Sequence, residues 1–327
     1  MHKPSWTPEA PIKSGEQTPL FYIGKLPIQT YSLMLMFGML AAIITIYIFW
    51  KREKYKIEIL MGLIIITIPM ALFGARLGYI IEALIYDPGT ITWKNWYKSW
   101  EGGLSIQGGI LLAMVCDLGY VYSKRKYVDI RKVSSIIIPT ILIGQVVGRW
   151  GNYANHEVYG KIDWTGRSSL IFGKFFASNM YITDSLSQSL GLEGAYRYPL
   201  FLYEGIANLI GYILIVWVIN WLGLLKPGAS VGLYFLWYGL LRYFMEPLRQ
   251  ESFKLYVVIS IIFIMIGTFA LIRYQFLNSV HYIRAWRNGR YVYQYAHPEK
   301  YYAYVERTKF SNLFKFVEKT PKTPKTI

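Results

Sequence analysis

Gly148-Arg149-Trp150-Gly151-Asn152-Tyr153-Ala154-Asn155-His156-Glu157-Val158-Tyr159-Gly160 is the stretch whose reading decides this chain. It starts where an apolar run ends and sets an arginine, two asparagines and a glutamate between three glycines. A helix that finishes in Arg and Asn at a membrane surface can hold an anionic head group. Polar groups this dense beside lipid are costly unless they have a task.

Working outward, the flanking sequence reads as membrane-spanning. Hydrophobic residues make up 54% of the 327, yet the formal charge is +16, so apolar and basic residues are segregated into blocks. A window of about 19 residues predicts seven spans, at 28–50, 60–85, 105–123, 133–149, 199–222, 228–247 and 255–273. The expected fold is an all-α integral membrane protein in three regions. These are an extracytoplasmic segment 1–27, a seven-helix domain 28–273 with an outer loop 150–198, and a basic, tyrosine-rich tail 274–327. Residues 1–27 are polar, without the apolar core of a cleavable signal sequence. Cys116 is the single cysteine, which excludes an internal disulfide.

Basic residues set the orientation. Lys51-Arg52-Glu53-Lys54-Tyr55-Lys56 follows the first span, Lys124-Arg125-Lys126 with Arg131-Lys132 follows the third, and the tail continues the excess. The positive-inside rule puts these on the cytoplasmic face, with the N-terminus outside and the C-terminus cytoplasmic. The charge sits where orientation demands it, so it calls for no nucleic-acid partner.

With that orientation, Tyr31, Arg76, Gln107, Arg149, Glu204, Arg242 and Glu246 all fall near the outer ends of their spans. Lone snorkelling side chains would scatter to both faces, so the clustering favours a site. Tyr238, Arg242, Glu246 and Arg249 are spaced for one helical stripe, and Pro247 predicts a kink or helix end at Glu246. This stripe is either a structural Arg–Glu pair or, with its second arginine, an anion site, since guanidinium forks suit a phosphate diester. Gly102-Gly103-Leu104-Ser105-Ile106-Gln107-Gly108-Gly109 opens the third span. It reads either as a backbone anion nest, with Gly103 and Gly108 presenting bare N–H groups, or as a turn with close helix packing. Gly144 and Gly148 are spaced for close approach of another helix. His156, beside Glu157, reads as an inert surface loop histidine or as a catalytic one, and 161–198 as a flexible lid or a substrate-contacting segment. Trp286-Arg287-Asn288-Gly289-Arg290 predicts a β-hairpin in the tail, and the closing Thr-Pro-Lys repeats read as disordered. No His/Cys/Asp cluster has metal-ligand spacing, so neither metal nor cofactor is implied.

The opening stretch resembles the signature of the prolipoprotein diacylglyceryl transferase family, G-R-x-G-N-[FY]-x-N-x-E-x-x-G, at every fixed position. The resemblance extends to Gly74-Ala75-Arg76-Leu77-Gly78-Tyr79, Trp100-Glu101-Gly102-Gly103-Leu104, Tyr198-Pro199 with Tyr203-Glu204, and Tyr238-Gly239-Leu240-Leu241-Arg242 with Glu246 and Arg249. It implies transfer of the sn-1,2-diacylglyceryl group from phosphatidylglycerol to the lipobox cysteine of a prolipoprotein, giving a thioether and glycerol 1-phosphate. The implied location is the bacterial cytoplasmic membrane, with the site at the outer leaflet. The implied partners are phosphatidylglycerol, prolipoprotein signal peptides and the surrounding membrane lipids. Tyr31, Arg149, Arg242, Glu246 and Gln107 are the implied catalytic positions. Arg149, Asn152, Asn155, Glu157, Gly160, Arg76, Arg249, Gly103 and Gly108 are the implied lipid-binding ones. Two positions depart from the family: Gln107 stands for its usual histidine, so a general-base role does not transfer, and Tyr198 stands for the histidine of a His-Pro pair. A lipid transporter or a non-catalytic anionic-lipid-binding protein is the alternative, although a transport path needs polar groups through the midplane.

Overall fold

The computed structural model describes residues 4–309 apart from 18, 25, 87, 88, 90, 93, 94, 99–102, 278 and 279. Strands β1 (Ile12–Lys13), β2 (Pro19–Ile23) and β3 (Leu26–Gln29) precede α1 (Thr30–Arg52), α2 (Ile57–Tyr86) and α3 (Ile106–Ser123). Helices α4 (Ile130–Ile137) and α5 (Ile141–Ala154) are joined by a 3-10 turn, Ile138–Thr140. The next loop carries α6 (Arg167–Leu170), α7 (Lys174–Ser178), β4 (Tyr181–Thr183), α8 (Ser185–Ser189) and β5 (Ala195–Tyr196). Helix α9 (Leu200–Tyr212) continues as a π-helical segment, Ile213–Asn220, and α10 (Ala229–Met245) ends in a 3-10 turn, Glu246–Leu248. Helix α11 (Lys254–Gln275), strands β6 (Tyr282–Arg287) and β7 (Arg290–Tyr295), and α12 (Pro298–Arg307) complete the order.

Among the described residues, six helical stretches are long and apolar enough to cross a membrane: Thr30–Arg52, Ile57–Tyr86, Ile106–Ser123, Ile130–Ala154, Leu200–Asn220 and Lys254–Gln275. The chain is a mostly helical, multi-pass membrane protein. The helix expected as a further span, α10, has 17 residues, about 26 Å at 1.5 Å per residue. Beside the helices, the described residues form three small sheets, ordered β1-β4-β5, β2-β3 and β6-β7. The tail hairpin is where the sequence puts it, with Asn288 and Gly289 both at positive φ (50° and 74°), as its two-residue turn requires. Trp100, Glu101 and Gly102 and the Thr-Pro-Lys repeats lie outside the described residues.

Residues 161–198 are folded, which overturns the reading as a flexible lid. Ser169, Ile182, Ser187 and Arg197 in this stretch are completely buried. Asp184 caps α8 in a reciprocal capping box with Ser187, and Asp163 accepts from the backbone and hydroxyls of Thr165 and Ser168. Small polar side chains that satisfy nearby backbone groups make tight turns; composition alone reads the same residues as flexibility.

The molecule divides into two compact units, the first 1–49 with 134–294, the second 50–133 with 295–327. In the first unit, Pro139 cannot donate to the carbonyl of Ser135, four residues earlier. The Asn220 side chain supplies that missing donor, Nδ2 to Ser135 O at 2.7 Å, so the 3-10 turn is tolerated inside an apolar span. Gly144 lets α1 approach: a side chain on Gly38 would stand 2.9 Å from its carbonyl oxygen. In the second unit, a Cβ on Gly109 would stand 2.9 Å from Ala71 O, and one on Gly108 2.7 Å from the Cα of Gly78. Gly108 and Gly109 are therefore used for packing α3 on α2.

Candidate functional site

The signature stretch is the end of α5 and the turn beyond it. Asn155 N closes on Gly151 O (3.0 Å) and Glu157 N on Asn152 O (2.9 Å), ending the helix. His156 and Val158 then take φ of 51° and 56°. Left-handed backbone is costly for a β-branched residue, about 1–3 kcal/mol, and persists where surroundings over-determine it. Four backbone hydrogen bonds do so here: Phe201 N to Val158 O (3.1 Å), Gly160 N to Tyr198 O (2.8 Å), Lys161 N to Leu248 O (3.3 Å) and Gln250 N to Tyr159 O (3.4 Å). Gly160 pairs with Arg249 as an antiparallel bridge. A Cβ there would stand 2.9 Å from Tyr198 Cβ and 3.2 Å from Leu248 O, so only glycine fits.

This backbone brings three arginines and two glutamates together. Arg149 pairs with Glu204, whose other oxygen lies 2.6 Å from Arg249 Nη2. Arg242 Nη2 lies 3.0 Å and Arg249 Nε 3.6 Å from Glu246 Oε2, neither aligned as a hydrogen bond. Glu246 is 1% exposed, and its Oε1 accepts from Phe253 N at 3.1 Å. Pro247 places it where the sequence predicts, at the end of α10, although its backbone keeps helical angles (φ −59°, ψ −44°). Arg242 stacks over the Tyr256 ring, 4.8 Å from its centre. Three guanidiniums against two carboxylates within ion-pair distance leave one positive charge without a counter-ion inside the cluster. Removing charges from water is expensive, and the buried atoms Glu246 Oε2 and Arg249 Nε face each other at 3.6 Å without a hydrogen bond.

Asn152 links the cluster to the turn. It accepts from Arg149 Nη1 (3.3 Å) and donates to Glu157 (3.5 Å), which Asn155 also approaches at 3.5 Å. Tyr31 packs on Gly151, its Cα 3.2 Å from where a Cβ would stand. Beside the cluster is a cavity of about 310 Å³, lined by Ser14, Glu157, Tyr159, Arg242, Glu246, Arg249, Gln250 and Glu251 among others. That is the low end of the range for small-molecule sites, with room for a charged headgroup.

One wall of the cavity is a buried knot that sequence reading missed. Arg197, fully buried, donates to Asp184 Oδ1 (2.6 Å) and to Gln250 Oε1 (3.0 Å). Tyr159 Oη lies 3.1 Å from Asp184 Oδ2 and 2.9 Å from Ser14 Oγ. Burial pushes the Tyr159 phenol up to about 12, against the lowering effect of the Ser14 hydrogen bond, so its hydroxyl keeps its proton. Burial also pulls the Arg197 guanidinium below its ordinary value, and Asp184 and Tyr159 oppose that shift. Ser14, Asp184, Arg197 and Gln250 are far apart in sequence, and no local pattern announced them. His156 is a correction: it is buried, not a surface residue, with Nδ1 3.2 Å from Asn179 O.

Of the sequence-predicted residues, the first unit thus gathers Arg149, Asn152, Asn155, Glu157, Gly160, Arg242, Glu246 and Arg249, with Tyr31 against Gly151. Arg76, Gly103, Gln107 and Gly108 belong to the second unit. There Arg76 donates to the carbonyls of Asn95 (2.6 Å), Trp96 (2.8 Å) and Gly103 (3.0 Å), a clamp on the loop before α3. Gln107 is exposed and accepts from Ser105 Oγ at 3.2 Å. The same unit holds Asp117 within α3, 2.9 Å from Thr67 Oγ1 through both oxygens. Asp117 is an ionisable residue inside a span that the clustering argument left out.

Comparison with known proteins shows which family the chain is similar to. The family model described as prolipoprotein diacylglyceryl transferase matches residues 18–273. The phosphatidylglycerol–prolipoprotein diacylglyceryl transferase of Mycoplasmopsis pulmonis (strain UAB CTIP) is 46% identical over 287 residues, covering 87% of each chain. Its namesake in Lysinibacillus sphaericus (strain C3-41) is 32% identical over 269 residues, 77% of this chain and 90% of its own. That of Streptococcus uberis (strain ATCC BAA-854 / 0140J) is 28% identical over 257 residues, 77% and 93% respectively. The chain belongs to the prolipoprotein diacylglyceryl transferase family.

Proposed function

We propose that the Arg149–Glu204–Arg249–Glu246–Arg242 cluster and its cavity are where this chain carries out the family's reaction. The activity is transfer of the diacylglyceryl group from phosphatidylglycerol to a prolipoprotein. The lipobox cysteine sulfur forms a bond to the terminal glyceryl carbon while the bond from that carbon to the phosphate oxygen breaks. The electron pair leaves on glycerol 1-phosphate, and the thiol proton passes to the phosphate or to solvent. Charge therefore moves from sulfur to the departing phosphate, and fixed guanidiniums aimed at that phosphate favour the transition state over the ground state. The convergence of three guanidiniums on two buried carboxylates beside the cavity is the observation that carries this reading.

Arg149, Arg242 and Arg249 hold the phosphate, with Glu204 and Glu246 orienting the guanidiniums. Asn152, Asn155 and Glu157 meet the headgroup, Gly160 keeps the backbone in place, and Tyr31 flanks the reacting carbon. A free thiol near pKa 8.5 is a few per cent ionised at pH 7; about 2 kcal/mol from a nearby arginine lowers it by roughly 1.5 units. No dedicated base is then required. The positive-inside bias of the basic loops supports an N-terminus outside and a C-terminus in the cytoplasm, with α10 as the seventh span and the cluster at the outer leaflet of the bacterial cytoplasmic membrane.

The test is purified protein with acyl-labelled phosphatidylglycerol and a lipobox peptide. Peptide gaining one diacylglyceryl mass, with equimolar glycerol 1-phosphate, is expected. Absence of both from folded protein would overturn the reading.

A further inference from the structure

Residues 4–17 precede the part of the chain that the family model matches, yet they reach the cavity. Ser14 N bonds Thr183 O at 3.1 Å, and β1 runs parallel to β4. The Ser14 side chain comes to rest in the cavity wall beside Tyr159 and Gln250.

Proton bookkeeping settles what that wall offers. Tyr159 has one hydroxyl proton and two oxygen neighbours, Asp184 Oδ2 and Ser14 Oγ. Tyr159 Oη donates to Asp184 Oδ2, which can only accept, and to Ser14 Oγ. Ser14 Oγ therefore keeps one lone pair, and its own proton, for the cavity. Arg197 can only donate, so Gln250 turns its Oε1 to Nη1 of Arg197 (3.0 Å). Its Nε2 is left as a donor. The wall thus presents a hydroxyl that can accept or donate, and an amide donor, next to Arg242 and Arg249.

We propose that Ser14 and Gln250 are specificity-determining residues that read the hydroxyl groups of the donor lipid's polyol headgroup. A headgroup hydroxyl donates to Ser14 Oγ and accepts from Gln250 Nε2, while the adjacent phosphate meets the arginines. Arg197 and Asp184 are positioning residues, acting through Gln250 and Tyr159. The inference rests on the reading that the cavity takes the donor phosphate.

The experiment compares two donors with the same acyl chains and the same charge: phosphatidylglycerol, and phosphatidylethanol, whose headgroup has no hydroxyl. Full-length protein in lipid nanodiscs is assayed for thioether formation on a lipobox peptide. Wild type should favour phosphatidylglycerol in kcat/KM by about a hundredfold, two hydrogen bonds at about tenfold each. Ser14→Ala and Gln250→Leu should each lower that ratio about tenfold, and Ser14→Thr, which keeps the oxygen, should hold it. Gln250→Leu carries the test if Ser14→Ala fails to fold. A wild type without preference, or variants in which both donors fall in parallel, would overturn the inference and leave the activity standing. A wild type that forms no product from phosphatidylglycerol would instead sink the functional reading, and this inference with it.

Discussion

Glu204 holds two arginines at once, Arg249 at 2.6 Å through Oε1 and Arg149 through Oε2. The three residues come from α5, α9 and the segment after α10, so one buried carboxylate fixes the relative placement of all three elements. Breaking such a pair by removing one partner costs about 3–5 kcal/mol, since the other charges stay buried. Glu204→Ala should lower the thermal unfolding midpoint in detergent and abolish transfer; an unshifted midpoint would show that Glu204 does not organise the cluster.

Arg149→Ala and Arg242→Ala should each cut turnover at least about a hundredfold, the scale for losing one preorganised donor at a developing charge. Lysine at either site should recover little, because it lacks the guanidinium fork. Steady-state kinetics of folded variants decide the matter.

The resemblance puts Gln107 at a position where the family usually has histidine. Gln107→Ala should lower turnover far less than Arg149→Ala, and Gln107→His should be tolerated. The kcat/KM profile should rise along a limb set by the substrate thiol. His156→Ala should leave the shape of that limb unaltered even where burial makes the variant less stable. Loss of the limb in His156→Ala would make His156 the base.

Asp163 predicts how the folded loop responds to acid. Burial alone would raise its carboxyl, but hydrogen bonds from Ser168 and Thr165 outweigh that and hold it below its ordinary value. A depressed folded-state pKa contributes stability above the unfolded value, about pH 4, and that contribution fades as pH falls through the folded one. Hydrogen-exchange protection of 163–170, taken relative to the unstructured rate at each pH, should therefore be high at pH 7 and fall below about pH 4. Asp163→Asn should be weakly protected at both.

Orientation is checked by labelling in a Cys116→Ser background. Ser189→Cys, at the exposed last residue of α8, should react with an impermeant maleimide on intact cells. Lys300→Cys, exposed on α12, should react only after lysis. The opposite pattern would invert the topology and move the cluster to the inner leaflet.

Much of this architecture is carried by the sequence itself, because its determinants are local or compositional. Apolar runs long enough for a bilayer set the spans, and Asn288-Gly289 set the hairpin. Helical spacing put Arg242, Glu246 and Arg249 on one stripe. Arg149 and Glu157 stood out because charge beside lipid is too costly to be incidental.

Tertiary structure alone decided how these charges pair, since spacing on one helix says nothing of a partner on another. It joined Arg149 and Arg249 through Glu204, and it used the glycines of α3 for packing. It buried His156, and it turned a Ser/Gly-rich loop into a folded wall. The Arg197–Asp184–Tyr159–Ser14 knot joins Ser14, near the N-terminus, to three positions within 159–197, and its stability comes from burying their polar groups together. Only the folded chain excludes the water that would otherwise satisfy each of them separately.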